Sequence, residues 1–177
     1  MRERIILCIC ALSLSLSLMS SSLAYAGQFE DGVEAYKRGD FQTSLRLWQP
    51  LAEEGHIDAS RRLGDIYLSG LGGNHDYKQA AKWYRKAAEQ GLPFAQYSLS
   101  QLYEAGAGVK KDFYKAYFWK CLAEKKEGPI SDRDEDTEET RRIWEQRLTE
   151  DQRAEIMKQV KDWKPTTPDK NKKSNSE

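Results

Sequence analysis

The sequence predicts an all-α protein, an α-α superhelix (solenoid) of stacked antiparallel helix pairs, with about two and a half repeats of 36 residues and a C-terminal helical cap. Three observations predict this fold. The chain matches itself after a shift of 36 residues, which aligns Asp40, Asp76 and Asp112. Apolar side chains recur at helical spacing within each unit. Gly70 and Gly106 stand where the first helix of a pair should end.

The first helix of each pair is predicted over 59–70 and again over 95–106. In both stretches alanine, leucine and tyrosine recur at helical spacing, so they share one buried face. Gly64 lies in the middle of the earlier stretch, where glycine is about 1 kcal/mol less favourable than alanine. A glycine there indicates the close approach of a neighbouring element, and Ser100 holds the equivalent position in the next unit.

The second helix of the middle unit is predicted from about Asp76 to Gly91. Asp76 and its counterparts are expected N-caps, because a carboxylate accepts hydrogen bonds from the free amides of the first turn. Small and aromatic residues then recur along one face at spacings of three and four. The aromatic side chains of this stripe should fill the space between successive helix pairs. The stripe contains Ala80, Trp83, Tyr84, Ala87 and Ala88.

The first unit, over about 29–58, departs from the two that follow it, over about 59–94 and 95–128. Its turn is shorter, and Pro50 lies within its second helix. A proline there should kink the helix or leave a carbonyl unpaired. An atypical terminal unit fits the capping role that stacked repeats require.

These residues resemble the Sel-one-like repeat (SLR) family, a close relative of the tetratricopeptide repeats. Its pattern, A-x-x-x-L-G-x-x-Y-x-x-G and then D-x-x-K-A-x-x-W-x-x-x-A-A-x-x-G, is nearly complete in the middle unit and recurs in the next. The resemblance covers about residues 29–127. It implies a repeat domain over 27–128 and a role in protein interaction. The middle unit carries the pattern at Ala59, Leu63, Gly64, Tyr67, Gly70, Asp76, Ala80, Trp83, Ala87, Ala88 and Gly91.

Residues 129–164 are predicted to form an acidic loop and C-terminal capping helices. The acidic run over 132–139 is interpreted as a solvated loop, with a docking segment for a basic partner as the alternative. Thr149 and Gln152 have the spacing of a capping box, and the family resemblance implies that the helix they begin docks on the repeats. The tail after Lys164, residues 165–177, has almost no apolar content and is expected to be disordered.

The first 26 residues are expected to be a secretory signal peptide. Two arginines precede an apolar run of 15 residues over 5–19, and a small-x-small pattern ends at Ala26, so cleavage should fall before Gly27. An uncleaved membrane anchor is the alternative, but a spanning helix needs about 20 apolar residues. A periplasmic location is therefore predicted, with secretion as the alternative.

The charge balance bears on the class of partner, and the cysteine content bears on the source of stability. Lysine and arginine number 28, as do aspartate and glutamate, so neither nucleic acid nor an anionic membrane surface is expected as a partner. No later stretch has the apolar length of a membrane span, so no membrane insertion is expected after cleavage. Cys121 is the one cysteine outside the predicted signal peptide, and it is interpreted as a buried small side chain rather than a reactive thiol. Stability must then come from packing, and the oligomeric state stays open.

No catalytic constellation is apparent in the sequence. G-x-S-x-G and G-x-x-x-x-G-K motifs are absent, and the chain after residue 26 has no S-x-x-K or K-T-G. Some cysteine-rich SLR proteins have been linked to penicillin binding and β-lactamase activity, but this chain lacks that subgroup's serine–lysine motif and paired cysteines. His75 beside Asp76 is too small a set for a metal site. No enzymatic activity, metal or cofactor is predicted.

The predicted function is a non-enzymatic protein-interaction module, a scaffold or adaptor of the bacterial cell envelope. It should bind a protein or peptide on the concave surface that stacked repeats present. Two alternatives stay open: a secreted effector acting on host proteins, and a cell-wall or β-lactam hydrolase, for which the motifs are missing. The candidate binding residues, all on the first helices, are Arg61, Arg62, Asp65, Ser69, Tyr97, Ser98, Gln101 and Glu104.

Overall fold

The computed structural model describes residues 27–127 and 138–167, which form eight helices and no strand. The predicted all-α fold is therefore confirmed. None of the described helices is long and apolar enough to cross a membrane. The helices are α1 (27–37), α2 (Phe41–Glu53), α3 (Ile57–Ser69), α4 (Tyr77–Glu89), α5 (Pro93–Ala105), α6 (Phe113–Glu127), α7 (Glu138–Arg147) and α8 (Glu150–Asp162).

Consecutive helices pack against each other along the chain. Helix α2 contacts α3, α3 contacts α4, α4 contacts α5, and α5 contacts α6, while α7 and α8 both contact α6. Pairing between sequence neighbours, without long crossovers, is the arrangement of a stacked helical repeat.

The predicted N-caps are confirmed in all three units. The carboxylates of Asp40, Asp76 and Asp112 each accept a hydrogen bond from the backbone N–H three residues further on, at 3.1, 3.0 and 3.0 Å. Each carboxylate therefore satisfies a donor that has no partner within its own helix. The repeat thus fixes where every second helix begins.

The predicted helix ends are confirmed at Gly70 and Gly106. Both residues adopt the left-handed conformation, with φ of 67° and 74°, which favours glycine because it has no Cβ. Pro50 lies inside α2 as predicted, on its exposed side. Arg46, whose carbonyl would accept from the amide that proline lacks, is also exposed.

Two clusters of buried side chains form the core. The first core cluster contains Trp48, Leu63 and Trp83, and it joins α2, α3 and α4. The second core cluster begins with residues of α4, including Tyr84, and extends through α5 and α6 to α7 and α8. Trp83 and Tyr84 are adjacent in sequence and each is 1% exposed, yet they belong to different clusters. The prediction that these aromatic residues fill the space between successive pairs is confirmed.

The close approach predicted at Gly64 is made by Tyr84. A Cβ added at Gly64 would lie 2.7 Å from two atoms of the Tyr84 ring, which is too close for any side chain. The equivalent positions in the next unit hold Ser100 and Lys120, so no aromatic residue takes the place of Tyr84 there. In the first unit, a Cβ added at Gly32 of α1 would lie 2.8 Å from two carbon atoms of the Trp48 ring. Glycine is therefore required in the two units whose second helix places an aromatic ring against the first.

The C-terminal helices complete the second core cluster. Trp144 of α7 and Ile156 of α8 are buried, at 5% and 0% exposure. The capping box predicted at the start of α8 is present, since the hydroxyl of Thr149 accepts from the N–H of Gln152 and the Gln152 amide oxygen accepts from the N–H of Thr149. The acidic run over 132–139 is almost wholly outside the described residues.

The chain after α8 returns to the repeats. The backbone N–H and the hydroxyl of Thr166 both donate to the carbonyl of Glu89, at 2.8 and 3.0 Å. Pro165 lies against Gly91, in the turn after α4. Residues 165–167 of the tail that was expected to be disordered thus have a defined place, and 168–177 lie outside the described residues, as do 1–26.

Candidate functional site

The first helices of the three units lie side by side. On α3, the guanidinium of Arg62 lies over the ring of Tyr36 from α1, 5.8 Å from its centroid. The neighbouring guanidinium of Arg61 lies over the ring of Phe94 from α5, at 5.4 Å. Helix α3 is therefore in the middle, with one arginine directed to each neighbour. The solvent-facing side chains around this contact form the first-helix surface: Arg61, Arg62, Asp65, Phe94, Tyr97 and Gln101.

A hydrogen-bonded network holds the centre of the first-helix surface. One carboxylate oxygen of Asp65 accepts from the Arg61 guanidinium at 2.7 Å, and the other accepts from the Tyr84 hydroxyl at 2.8 Å. The Arg61 and Asp65 side chains are both 21% exposed. This network links α3 to α4 and fixes the position of Arg61.

The ionisable groups of this network are perturbed by their surroundings. Burial raises the pKa of the Asp65 carboxyl above its usual value, although the Tyr84 hydrogen bond and the charge of Arg61 act in the opposite direction. Burial and the neighbouring Asp65 charge raise the pKa of Tyr84 far above the usual value for tyrosine. The tyrosine is therefore a permanent donor, and Asp65 has both oxygens engaged.

Arg62 has no carboxylate partner among the described residues. Its Nε atom is buried and finds no hydrogen-bond acceptor. The ring of Tyr36 lies beside this guanidinium, 5.8 Å from Cζ to the ring centroid, and the charge of Arg62 acts on the Asp65 carboxyl. The first-helix surface thus holds two guanidinium groups and one carboxylate.

On the α5 side, the predicted residues differ in exposure. Gln101 is exposed and Tyr97 is half-buried, so both belong to the first-helix surface, and the half-buried Glu104 lies about one turn beyond Gln101 on α5. Ser98 is only 7% exposed, and its hydroxyl donates to the carbonyl of Phe94 at 3.0 Å. Ser98 is therefore corrected from a surface candidate to a buried residue, because its short side chain bonds to its own helix.

Sequence reasoning missed Phe94. This side chain is 48% exposed, the largest exposed apolar group on the first-helix surface. Phe94 precedes Tyr97 by three residues, so the helical period places the two aromatic residues on one face. That spacing was the available signal. Ser69 is exposed at the end of α3.

Both histidines have structural roles. His56 caps α3, since its Nδ1 accepts from the N–H of Ala59 at 3.2 Å, and its ring stacks on Phe29 at 4.7 Å. The Nδ1 of His75 is 2.7 Å from the carbonyl of Leu68. Within residues 27–127 and 138–167, no three histidine, cysteine, aspartate or glutamate side chains are grouped so that they could hold a metal ion.

A small cavity of about 250 Å³ lies between the repeats and the returning C-terminal segment. Its largely apolar wall includes Leu122 and Trp163, and its volume is just below the range of about 300–1,000 Å³ typical of ligand sites. The side chain of Lys125 at its edge donates to the carbonyls of Val160 and Lys161, which end α8. The first-helix surface is the main candidate site because it holds five of the eight residues predicted from the sequence.

The fold and this surface define a helical repeat protein with an open binding face. The family model described as Sel1 repeat matches residues 21–56, 57–92 and 93–123, together more than half of the chain. The chain belongs to the Sel1 repeat family. Proteins built of these repeats are protein-interaction modules.

Solved structures share the fold. The crystal structure of c5321, a protective antigen present in uropathogenic Escherichia coli strains displaying an SLR fold, is similar with a TM-score of 0.65 and 29% identity, over 78% of this chain and 29% of c5321. A Sel1 repeat protein from Oxalobacter formigenes is similar with a TM-score of 0.52 and 35% identity, over 55% of this chain and 40% of that protein. The chain thus spans less than half of either protein. No curated protein matches it.

Proposed function

We propose that the chain is a non-enzymatic scaffold or adaptor of the bacterial cell envelope that binds a protein or peptide on the first-helix surface. The observation that carries this proposal is the pairing of Phe94, 48% exposed, with an arginine that lies over its ring. Aromatic and arginine side chains are the types most often found at the energetic centre of protein interfaces. In stacked helical repeats, such faces form extended concave binding surfaces.

Preorganisation supports the same proposal. Arg61 is held by Asp65 on one side and by the Phe94 ring on the other, and Asp65 is held in turn by Tyr84. The Arg61 side chain therefore loses little conformational freedom when a partner binds to it, which lowers the entropic cost of association. A scaffold gains affinity from such rigidity without moving any helix.

The missing motifs support a non-enzymatic function. The sequence has neither G-x-S-x-G nor G-x-x-x-x-G-K, and the chain after residue 26 has no S-x-x-K or K-T-G. The proposal would be overturned by turnover of a β-lactam or peptidoglycan substrate by the purified chain that is lost on replacement of a single residue.

The envelope location rests on the N-terminal apolar run over 5–19 and the cleavage pattern at Ala26. Cell fractionation with N-terminal sequencing tests this part: a mature chain that begins at Gly27 in the periplasmic fraction is expected, and an intact N-terminus in the cytoplasm would refute it.

In-cell photocrosslinking tests the binding surface. A photoreactive residue is placed at Phe94, at Gln101, or at Lys82 as an exposed control on α4, and the full chain is expressed with its own first 26 residues. One dominant protein adduct from positions 94 and 101 but not from 82 is expected. Equal adducts from all three positions, or none from 94 and 101, would refute binding at this surface.

A further inference from the structure

The cavity between the repeats and the returning C-terminal segment combines an apolar wall with one positioned charge. Its wall comes from three parts of the chain: the turn after α4, the helices α5 and α6, and the segment after α8. Two of the lining residues, Lys125 and Pro165, are exposed, so the cavity reaches the protein surface and a small molecule can enter it. The lining residues are Gly91, Gln96, Leu122, Lys125, Trp163 and Pro165.

The size of the cavity limits the ligand to a small molecule. An apolar cavity of about 150 Å³ binds benzene, so the volume of about 250 Å³ found here suits a molecule of about ten non-hydrogen atoms. The wall is largely apolar and includes Leu122 and Trp163. Burial of an apolar group against these side chains is favourable, because it removes apolar surface from water. The cavity thus fits a single ring with a short substituent rather than a peptide segment.

The segment that closes the cavity is held in place by backbone contacts. The N–H and the hydroxyl of Thr166 both donate to the carbonyl of Glu89, at 2.8 and 3.0 Å. At Gly91, an added Cβ would lie 3.1 Å from an atom of Pro165 and 3.5 Å from an atom of Trp163, so the segment lies directly against the turn after α4. A cavity formed before binding lowers the ordering cost that a ligand has to overcome.

The charge at the edge of the cavity belongs to Lys125. Its Nζ donates to the carbonyl of Val160 at 2.7 Å and to the carbonyl of Lys161 at 3.1 Å. An ammonium group has three N–H donors, so one remains for a ligand. Both acceptors are uncharged, and Lys125 forms no ion pair with any residue of the described ranges. The two carbonyls therefore fix the position of the ammonium group without neutralising its charge.

The acidic groups next to this site along the chain have other places. None of the six lining residues is acidic. Glu124, which precedes Lys125, lies with its carboxylate 3.7 Å from the ammonium group of Lys120. Asp162, which precedes Trp163, lines a neighbouring cleft together with Lys158. An anion that enters the cavity therefore meets a cation in its wall and no carboxylate.

We propose that this cavity binds a small amphipathic carboxylate, an acid of about ten non-hydrogen atoms whose apolar part packs against Leu122 and Trp163. The carboxylate accepts the remaining N–H of Lys125 in a charge-assisted hydrogen bond, which is stronger than a bond between neutral groups. This inference goes beyond the proposed function, because it concerns a different site and a different class of ligand.

NMR titration of the purified chain tests the inference. The probes are phenylacetate, which has the expected size, and phenylacetamide, its uncharged counterpart. The indole N–H signal of Trp163, assigned by its loss in Trp163→Phe, reports binding at the cavity. Phenylacetate should bind with a Kd of about 1 mM or below, and phenylacetamide at least about fivefold more weakly. Equal binding of the two probes, or a Trp163 signal that phenylacetate does not shift, would overturn the inference.

Variants of two lysines on opposite sides of Trp163 locate the carboxylate. Lys125→Met should weaken phenylacetate to the level of phenylacetamide and leave phenylacetamide unchanged, because it removes the charge and keeps an apolar stem. Lys125→Arg keeps a cation that can bond to the carbonyls ending α8, so it should retain the preference for the acid, and it carries the test if Lys125→Met releases α8. Lys158→Met, in the neighbouring cleft that Trp163 also lines, is the control and should change neither Kd.

The outcomes separate this inference from the proposed function. If Lys158→Met rather than Lys125→Met removes the preference for the acid, phenylacetate binds in the neighbouring cleft and the inference is wrong. Such a failure leaves the first-helix surface unaffected, since crosslinking from Phe94 and Gln101 tests that surface independently.

Discussion

Replacing Gly64 by alanine sets two effects of opposite sign against each other. In a helix interior without neighbours, the change should stabilise the protein by about 1 kcal/mol. In this fold the new Cβ would lie 2.7 Å from two atoms of the Tyr84 ring, whereas carbon atoms in contact are about 3.5–4.0 Å apart. The ring has little room to move, because Tyr84 is 1% exposed and its hydroxyl is bonded to Asp65. Overpacking of this kind costs about 1–3 kcal/mol.

The free energy of unfolding of Gly64→Ala should therefore fall by about 1–2 kcal/mol rather than rise, as measured by urea denaturation followed by circular dichroism. A double-mutant cycle with Tyr84→Leu isolates the clash: with the ring removed, the alanine should cost less by about 1 kcal/mol or more. Tyr84→Phe keeps the ring and should keep most of the penalty. If Gly64→Ala is neutral or stabilising with Tyr84 intact, the close packing of α3 on α4 is not as described.

Three further outcomes are expected. Asp76→Ala should lower the free energy of unfolding by about 1 kcal/mol and Asp76→Asn by much less, since only asparagine can still cap α4; equal losses in urea denaturation would argue against the cap. Burial raises the pKa of Tyr117 from 10.0 to about 12. The folded chain therefore holds the Tyr117 proton more tightly than the unfolded chain, and the free energy of unfolding should fall as the pH rises from 10 through 12. Tyr117→Phe should reduce that alkaline loss in a series of Tm measurements, and an unchanged series would contradict the shift. Thr166→Pro removes both donors to the Glu89 carbonyl and should speed amide exchange of the segment after α8, whereas Thr166→Ser should not.

The features predicted correctly from the sequence are local and repeated. Asp76 caps a helix because its side chain reaches an amide three residues away, and Gly70 ends one because its own backbone adopts a positive φ. Neither depends on another unit. Gly64 was also informative, because an unfavourable residue in a helix interior implies a neighbour, although the sequence did not identify that neighbour as Tyr84.

The candidate site was harder to predict. The exposure of a side chain beside the buried face of a helix depends on which neighbouring groups that side chain can reach. Arg62 and Ser98 occupy equivalent positions in successive units. The long side chain of Arg62 extends to a ring on α1, whereas the short one of Ser98 bonds to its own helix and is covered. Phe94 replaces Asp58 of the preceding unit, so the repeat does not carry over the residue type at this position. Periodicity identifies a face, but the individual residues determine its chemistry.

The adjacent aromatic residues of α4 have a consequence for how the protein folds. Units of a helical repeat interact mainly with their nearest neighbours, so a long array can unfold in parts. Here Trp83 belongs to the first core cluster and Tyr84 to the second, one peptide bond apart. Local melting of α4 withdraws a large ring from both clusters at once. We therefore expect the two clusters to unfold together rather than in separate steps.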